Sequence, residues 1–564
     1  MAMISVVWFL GLICSVLLGH GIGVKVSHNH YRKLLQSNST NQPYRTAYHF
    51  QPPKNWMNGP MIYNGIYHLF YQYNPLGAVW GNIVWGHATS TDLINWIHHD
   101  HAIYPSEAFD INGCWSGSTT ILPGEKPMIL YTGIDTQNRQ LQNFAVPKNL
   151  SDPFLREWIK PIDQNPIMTP IDGINPSSFR DPTTAWKGSD GRWRVLIGAE
   201  EKALLYRSKD FINWNKSEIP LYSMNRTGMW ECPDFFPVSL NGTNGVETSV
   251  ISPSVKHVLK MSLGGTDHDY YTIGTYYPDK DKYVPEIGFV DANSGLRYDY
   301  GKFYASKTFF DSAKNRRILW AWISESSNEA VNVEKGWAGI QGIPRTLWLD
   351  KTGTRLMQWP VKEIETLRAN RVDLPSQELK EGSVLEVSGL TASQADLEVS
   401  FELPMLEDAE ILDPSWVNPR LLCSPKEGSV LGGKVGPFGL LVLASKNLEE
   451  QTAIFFKVFK DHNRYVVVMC SDQSRSSLGE GLDKTTYGAF VEIDPVHEKL
   501  SLRTLIDHSI VESFGGDGKT AITARVYPKL AIDGEAHLYV FNNGTENVRI
   551  SRLSAWSMKR AQVN

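Results

Sequence analysis

Two short segments carry acidic side chains in places where they could do chemistry. Glu231 stands between Trp230 and Cys232 in the strand-like segment WECPDFF. Burial beside an apolar ring raises the pKa of a carboxyl group, and a general acid that works near neutral pH needs such a raised pKa. A salt bridge or a surface position on the strand would explain the same glutamate without catalysis. The segment therefore supplies one candidate proton donor.

The second segment, FRDPT, places Arg180 directly before Asp181 and ahead of a turn that a proline initiates. A carboxylate beside a guanidinium group stays ionised, and it can accept hydrogen bonds from the vicinal hydroxyls of a sugar. A pair that only stabilises the turn is the alternative. No CxxC motif or histidine cluster indicates a metal site, so we expect neither a metal nor a cofactor.

The elements that would position these residues are short strands. Runs rich in β-forming residues alternate with turns of Gly, Asn, Asp and Pro, and Asn64–Gly65 between two such runs predicts a hairpin. The segments STDLINW (90–96) and SKDFINW (208–214) repeat one pattern. The motifs WMNG, CWSGS, FRDPT and WECPDFF follow each other at gaps of about 50 to 65 residues, the size of a propeller blade. This spacing favours an all-β fold with a propeller over a large irregular β-protein.

The length of 564 residues is too great for one ordinary core, so we expect at least two large domains. The charged segment VKEIETLRANRV predicts a short helix after the propeller, and alternating strands resume beyond it, as in a β-sandwich. The predicted division is a signal peptide at 1–23, a propeptide or flexible N-terminus at 24–45, the propeller at 46–360, a linker with a short helix at 361–384 and the sandwich at 385–564.

Several features of the sequence predict a secreted protein. The run VVWFLGLICSVLL is long enough for a signal peptide, is followed by small residues, and is too short to span a bilayer comfortably. Cys423 and Cys470 could pair in an oxidising compartment. The net charge of −5, with scattered Lys and Arg, indicates neither a nucleic-acid partner nor a membrane surface. Glycosylation sequons lie at Asn38, Asn149, Asn215, Asn225, Asn241 and Asn543.

The motifs taken together resemble those of plant acid β-fructofuranosidases, the group of cell-wall invertases and fructan exohydrolases in glycoside hydrolase family 32. The resemblance runs in order through FQPPKNWMN, FYQYNP, WGNIVWGHATSTDLINW, WSGSTT, FRDP, WECPDFFPV, GWAGIQGIPR and LRTLIDHSIVESFGGDGKT. It implies a five-bladed β-propeller with a central funnel, followed by a β-sandwich. It also implies a secreted enzyme of the apoplast or cell wall that cleaves terminal β-D-fructofuranosides by a retaining mechanism. Sucrose or fructan would be the substrate, and a proteinaceous invertase inhibitor would be a partner.

The resemblance assigns roles to individual residues. Glu231 matches the acid/base that protonates the leaving oxygen, and Asp181, with Arg180 beside it, matches the carboxylate that holds the fructosyl hydroxyls and stabilises the transition state. Cys232 neighbours the acid and would tune its pKa. The positions that match the lining of the fructosyl pocket are Asn58, Gln72, Trp80, Trp115 and Ser116.

The chain departs from the family at one point. The family has W-M-N-D-P-N-G-P, in which the aspartate is the nucleophile, whereas this chain runs from Trp56 through Asn58 directly to Gly59 and Pro60. A retaining mechanism needs a nucleophile about 5 Å from the acid, so we expect the chain to be inactive or severely impaired. An odd deletion also inverts the alternation of any strand residues before it, which predicts strain in the first blade and puts the role of Asn58 in doubt.

Three interpretations of the chain stay open in view of this gap. In plant members of the family the tripeptide is typically encoded by its own very small exon, and skipping that exon would give this junction. A non-catalytic carbohydrate-binding or regulatory protein is the alternative, and a protein-interaction propeller is a weaker one.

Gly264 and Asp267 stand where sucrose-preferring invertases usually have an Asp and a Lys. Loss of a hydrogen-bond acceptor for glucose predicts better cleavage of fructan than of sucrose.

Overall fold

A computed structural model of the chain describes residues 42–52, 58–171, 173–288, 295–403, 406–424 and 433–564. The predicted signal peptide, the sequon at Asn38 and most of the predicted propeptide lie outside the described residues. No helix within the described ranges has the length and apolar character needed to cross a membrane.

The first domain is a propeller of five antiparallel sheets, as the resemblance predicts. In the first, second and fourth blades the four strands pair in chain order. The first strand of the first blade contacts the first strands of the second and fifth blades, so the first strands are innermost. The first blade contains β1 (Asn58–Tyr63), β2 (Ile66–Tyr73), β3 (Val84–Ser90) and β4 (Ile97–Ile103). The second contains β5 (Gly113–Leu122), β6 (Lys126–Ile134), β7 (Gln140–Pro147) and β8 (Trp158–Ile159).

The remaining three blades follow in chain order. The third contains β9 (Phe179–Arg180), β10 (Trp186–Lys187), β11 (Trp193–Ala199), β12 (Lys202–Ser208), β13 (Trp214–Lys216) and β14 (Tyr222–Ser223). The fourth contains β15 (Trp230–Ser239), β16 (Val255–Leu263), β17 (His268–Tyr277) and β18 (Lys282–Ile287). The fifth contains β19 (Tyr304–Asp311), β20 (Arg316–Ile323), β21 (Ile340–Gln341), β22 (Arg345–Leu349) and β23 (Leu356–Pro360), with helix α1 (Glu329–Lys335) between β20 and β21.

The turn signals in the sequence form the turns that they predict. Asn64 and Gly65 both have positive φ, 48° and 77°, as a two-residue hairpin loop of type I′ requires. The repeated pattern S-x-D-x-I-N-W makes the same turn in the first and third blades. In each, the aspartate, Asp92 or Asp210, accepts hydrogen bonds from the backbone N–H groups two and three residues later. The shared sequence pattern is therefore a shared blade corner.

The second domain is a sandwich of two sheets. One sheet contains β24 (Arg368–Leu374), β25 (Gln377–Leu379), β27 (Gln394–Glu402), β33 (Leu500–Asp507), β34 (Ile510–Gly515), β35 (Thr520–Arg525) and β37 (Val548–Met558). The other contains β26 (Ser383–Glu386), β28 (Glu410–Ile411), β29 (Phe438–Ala444), β30 (Thr452–Asp461), β31 (Arg464–Asp472), β32 (Tyr487–Val491) and β36 (His537–Asn542). Helix α2 (Pro419–Cys423) packs beside them, and a disulfide joins Cys423 to Cys470, the pair that the sequence suggests.

The segment 361–384, which we predicted as a linker with a short helix, needs a correction. It begins with a 3-10 helix at Lys362–Leu367, and strands β24 and β25 follow directly as partners of β37 in the sandwich. The charged residues that suggested a linker are part of this packing. The guanidinium group of Arg368, for example, lies 3.8 Å above the ring of Trp556 and pairs with Asp396. The sandwich therefore begins near residue 368 rather than at 385.

Two carboxylates of the motif LIDHSIVES clamp the N-terminal segment of the propeller against the sandwich. Asp507 accepts hydrogen bonds from the backbone N–H groups of Ala47, Tyr48 and His49, at 2.6, 2.8 and 2.9 Å. The ring of His49 lies between Asp507 and Glu512, with Nδ1 2.9 Å from the first carboxylate and Nε2 3.1 Å from the second. The chain is thus fixed just before the segment that holds the NWMNG motif.

Candidate active site

A pocket at one mouth of the propeller channel brings together nearly every residue that the sequence predicts for the site. The first strands of the second, fourth and fifth blades, the end of β2 and the residues around β9 contribute its walls. The predicted residues that line it are Gln72, Trp80, Trp115, Ser116, Arg180, Asp181, Glu231 and Cys232. The backbone of Asn58 pairs with Tyr71 at the start of β1, whereas its side chain lies outside what the structure describes.

Glu231 faces polar partners. Its Oε1 accepts a hydrogen bond from Nη2 of Arg180 at 2.7 Å, and its Oε2 accepts one from the hydroxyl of Tyr304. The expectation that Glu231 is buried beside an apolar ring was wrong. Successive residues of a strand point to opposite faces, so Trp230 is fully buried in the blade while a quarter of the Glu231 side chain is exposed to the channel.

Asp181 is held from two sides. Its backbone N–H donates to Oγ1 of Thr132 at 2.9 Å, and its Oδ2 accepts the backbone N–H of Cys232 at 2.9 Å. Burial raises the pKa of Asp181, and the nearby Glu231 raises it further, while Arg180, with Nε 4.0 Å from Oδ2, opposes both. A carboxylate in this position can accept hydrogen bonds from sugar hydroxyls that enter the pocket.

Cys232 contacts Asp181. Its Sγ lies 3.6 Å from Oδ2 of Asp181, and burial, with Asp181 in addition, raises the pKa of the thiol well above its ordinary value. The thiol is therefore neutral and donates to the carboxylate of Asp181. The structure thus places the sulfur against the predicted stabiliser, whereas the resemblance pairs Cys232 with the acid.

Arg180 links the two acidic groups. Burial of its guanidinium group disfavours the charged form, but Asp181 and Glu231 outweigh burial and raise the pKa of Arg180. Its Nη1 also donates to Oε1 of Gln140 at 3.2 Å and to the carbonyl of Ser177 at 3.0 Å. Arg180 is therefore a cation that is held on several sides and that holds Glu231 while it lies beside Asp181.

Aromatic rings form another wall of the pocket. Trp80, of which 59% is exposed, meets Trp115 edge to face with ring centroids 5.1 Å apart. The backbone of this wall is fixed from behind, because Nε1 of Trp85 donates to the carbonyl of Trp115 and Nε2 of Gln72 donates to the carbonyl of Cys114. Flat aromatic faces at the rim suit the apolar faces of sugar rings.

Backbone irregularities turn these side chains into the channel. Ser116 is an extra residue in the pairing of β5 with β6, so the ladder is bulged at this point. Asp181, Cys232 and Ala305 all have positive φ, at 65°, 46° and 52°. Residues other than glycine rarely adopt this conformation, and such positions cluster at functional sites. Three such residues contribute to this one pocket.

The comparisons with known proteins agree with this geometry. Residues 49–360 match the model described as Glycosyl hydrolases family 32 N-terminal domain, and residues 363–557 match Glycosyl hydrolases family 32 C terminal. The chain is 60% identical to beta-fructofuranosidase, insoluble isoenzyme CWINV1, of Arabidopsis thaliana, over 98% of each protein. It is also 60% identical to fructan 6-exohydrolase of Beta vulgaris, over 93% of this chain and 88% of that one.

The chain belongs to glycoside hydrolase family 32. A crystal structure of a variant of fructan 1-exohydrolase IIa from Cichorium intybus in complex with 1-kestose superimposes on it with a TM-score of 0.89. The two sequences are 56% identical, and the alignment covers 93% of this chain and 99% of the other. By family the protein is an O-glycosyl hydrolase of the β-fructofuranosidase and fructan exohydrolase group.

The structure adds Tyr304 to the site of this family 32 chain. Tyr304 opens β19, and its hydroxyl donates to Glu231. Burial, with Glu231 beside it, raises the pKa of Tyr304 far above its ordinary value, so the phenol stays protonated. Sequence reasoning missed this residue because FYASKTFF differs in no visible way from any aromatic strand. One signal was available in the sequence. Tyr304 is the first residue of the first strand of its blade, and Glu231 is the second residue of the first strand of the preceding blade.

Gly264 lies beside the acid. A Cβ atom at this position would lie 3.4 Å from Oε2 of Glu231, which is an ordinary contact distance. Asp267 lines the cleft between the propeller and the sandwich, together with Lys302. Burial raises the pKa of Asp267, Lys302 opposes the shift and Glu231 adds to it. Gly264 therefore adjoins Glu231, whereas Asp267 lies in the neighbouring cleft.

Other predicted sites lie away from the pocket. The described sequons are all on exposed asparagines, namely Asn149, Asn215, Asn225, Asn241 and Asn543. Within the described part of the chain, no group of three or more His, Cys, Asp or Glu side chains is arranged to hold a metal ion.

Proposed function

We propose that the chain is a secreted scaffold for the hydrolysis of terminal β-D-fructofuranosides in which the nucleophile is missing and activity is lost or severely reduced. The observation that carries this proposal is the convergence of Glu231, Asp181 and Arg180 in one pocket, while the sequence supplies no carboxylate between Asn58 and Gly59. Glu231 would protonate the leaving oxygen, and Asp181 would hold the fructosyl hydroxyls. A retaining reaction also needs a second carboxylate to attack the anomeric carbon.

No other carboxylate replaces the nucleophile among the described residues that line the pocket. Only Asp181 and Glu231 carry acidic groups there. Asp110 is fully buried outside the pocket, where its Oδ2 accepts hydrogen bonds from Tyr131 at 2.6 Å and from Lys160 at 2.7 Å. Its Oδ1 accepts the backbone N–H groups of Ser106 and Glu107 at 3.1 and 3.0 Å. Both Asp110 oxygens are therefore committed to structure.

The anchors on either side of the gap support the view that the shortening is local. Phe50 follows the clamped His49, and its carbonyl accepts the N–H of Gln341 at 3.0 Å. Strand β1 pairs with β2 without a register shift, with Gly59 opposite Phe70. A slip of β1 would turn its side chains to the wrong face. The gap therefore lies at the start of β1, between two anchored parts of the described chain, and strain in the first blade stays a prediction.

Gly264 supports fructan over sucrose as the preferred substrate of a repaired chain. A side chain at position 264 would project beside Glu231, and glycine offers no hydrogen-bond acceptor to a glucosyl unit. A site that lacks such an acceptor loses the substrate that needs it. Secretion to the cell wall or apoplast and binding of a proteinaceous invertase inhibitor remain parts of the proposal that rest on the resemblance. The relatives named as insoluble or cell-wall isozymes support the location.

The alternative function is carbohydrate binding without catalysis, and the intact pocket with no nucleophile favours it as the role of the short chain. Insertion of Asp-Pro-Asn between Asn58 and Gly59 discriminates the two. A hydrolase scaffold gains activity on 1-kestose or sucrose after the insertion, and loses it again on Glu231→Gln. A dedicated binding protein stays inactive after the insertion, and its sugar affinity, measured by calorimetry, does not depend on Glu231.

A further inference from the structure

The contact between Glu231 and Tyr304 is made by two bulged strands. In β15 the pairing with β16 jumps from Glu231 to Asp234, so two residues oppose one. In β19 the pairing with β20 jumps in the same way from Tyr304 to Lys307. A bulge removes backbone N–H and C=O groups from the ladder, and such groups need other partners when they are buried. Each bulge begins one residue after a side chain of the Glu231–Tyr304 contact.

One ammonium group binds a carbonyl in each of the two bulges. Nζ of Lys260 donates to the carbonyl of Cys232 at 3.1 Å and to the carbonyl of Ser306 at 2.7 Å. Its third hydrogen bond goes to Oγ of Ser262 at 2.8 Å. A lysine has three N–H donors and no acceptor, so this side chain is fully used. It connects the fourth blade to the fifth directly behind the acid.

One carboxylate satisfies the N–H groups of the second bulge. Asp269 accepts the N–H of Ala305 on Oδ1 at 3.2 Å and the N–H of Ser306 on Oδ2 at 2.8 Å. Its Oδ2 lies 3.2 Å from Nζ of Lys260, and neither side chain of this pair is exposed at all. The bulges and the left-handed residues within them cost free energy, and such features persist only where their surroundings fix them.

We propose that Lys260 and Asp269 are positioning residues that fix the carboxylate of Glu231 against Tyr304. Neither residue lines the pocket, so neither touches substrate. Both act through the backbone next to the two side chains that meet there. This pair suits the task because the ammonium group donates to the backbone carbonyls of Cys232 and Ser306, while the carboxylate accepts the backbone N–H groups of Ala305 and Ser306. A single neutral side chain does not offer both. The inference rests on the proposed role of Glu231 as general acid.

The test uses a substrate pair that separates acid catalysis from general damage. In the chain with Asp-Pro-Asn inserted, kcat/KM is measured on 1-kestose, whose leaving group needs a proton, and on β-D-fructofuranosyl fluoride, whose leaving group needs little proton donation. General acid catalysis contributes about 10²- to 10⁴-fold, and misplacement by about 1 Å can remove about 10²-fold. We expect Lys260→Met and Asp269→Asn to lower kcat/KM at least ~10-fold on 1-kestose and no more than ~2-fold on the fluoride.

The matched control is Asp281→Asn. Asp281 pairs with Arg194 at 2.6 Å in another buried ion pair, and it contacts neither bulge. This variant should lower the apparent kcat/KM on the two substrates by equal factors, because we expect it only to reduce the fraction of folded protein. Equal losses on both substrates in the Lys260 and Asp269 variants would overturn the proposal. Asp269→Asn, which keeps shape and one acceptor oxygen, carries the test if Lys260→Met does not fold.

A second measurement needs no activity and uses the chain without the insertion. In crystal structures of Lys260→Met and Asp269→Asn, the Glu231 carboxylate should move by about 1 Å or more and lose Tyr304, whereas Asp281→Asn should leave both in place. An unmoved Glu231 would overturn the proposal. If the inserted chain hydrolyses neither substrate, the proposed function fails, and this structural comparison still decides the role of the pair.

Discussion

At the scale of single residues, both carboxylates of the pocket already have hydrogen-bond partners within the protein. Glu231 has a partner on each oxygen, and Asp181 keeps the backbone N–H of Cys232 on Oδ2. The carboxylates are therefore oriented before any sugar enters. Preorganised polar groups of this kind avoid reorganisation during the reaction, which is where their catalytic value lies.

Asp181→Asn tests the role of this preorganised carboxylate. The amide keeps the shape of the side chain and an oxygen for the N–H of Cys232, but it removes the negative charge that we propose faces the fructosyl group. We expect kcat to fall by about 10²- to 10³-fold in the chain with the inserted tripeptide, with little change in thermal stability. Steady-state kinetics on 1-kestose measure the effect. A fall confined to KM would show that Asp181 only binds the ground state.

Gly264→Asp tests substrate choice. The backbone at Gly264 does not require glycine, since its φ is not in the left-handed region, and the nearest atoms lie at 3.4 Å or more from an added Cβ. A carboxylate there would offer a hydrogen-bond acceptor beside Glu231. We expect the ratio of kcat/KM for sucrose to that for levan to rise about 10-fold in the inserted chain.

Gly265→Asp, one position further along, is the matched control, because a Cβ there meets nothing within 4 Å. It should leave the ratio near its original value. An unchanged ratio in Gly264→Asp would contradict the assignment of substrate preference to this position.

At the scale of elements, regular strands were predictable and their irregularities were not. Alternation of apolar residues, the Asn64–Gly65 hairpin and the repeated blade corner are local, so the sequence contains them in full. The bulges after Glu231 and Tyr304 depend on Lys260, which is distant in sequence from both and has the side chain of an ordinary surface residue. Nothing in the segment KMSLGG indicates that this lysine is buried.

The clamp on the N-terminal segment predicts how stability depends on pH. Burial alone would lower the pKa of His49, but Asp507 and Glu512 outweigh it and raise the pKa above that of the unfolded chain. A raised pKa means that the contribution to stability is complete below the unfolded value of about 6.5 and is lost as the pH rises through the folded value. The clamp therefore stabilises the protein most under acidic conditions.

His49→Gln tests this dependence. The variant should have a lower Tm than the original chain at pH 5.5, and the difference should shrink as the pH rises to 9. Glu512, whose pKa is lowered to about 2 by Arg345 and His49 against the effect of burial, stays ionised over this range and does not disturb the comparison. A Tm difference that grows with pH would contradict the account of the clamp.

At the scale of the whole molecule, the propeller and sandwich are those of family 32, and the departure from the family that we propose lies at the start of β1. The resemblance supplied the five blades, the sandwich and the pocket residues. The extent of the sandwich was mispredicted because β24 and β25 have the charged composition of a linker. Their strand character comes from pairing with β37, about 180 residues later in the chain.

The most direct test of the account compares three purified proteins on sucrose, 1-kestose and levan: the present chain, the chain with Asp-Pro-Asn inserted between Asn58 and Gly59, and the inserted chain with Glu231→Gln. We predict that the present chain has a kcat several orders of magnitude below that of the inserted chain, and that Glu231→Gln removes about 10²-fold or more of the restored activity. Turnover by the present chain at the rate of the inserted one would contradict the claim that the missing aspartate is its nucleophile.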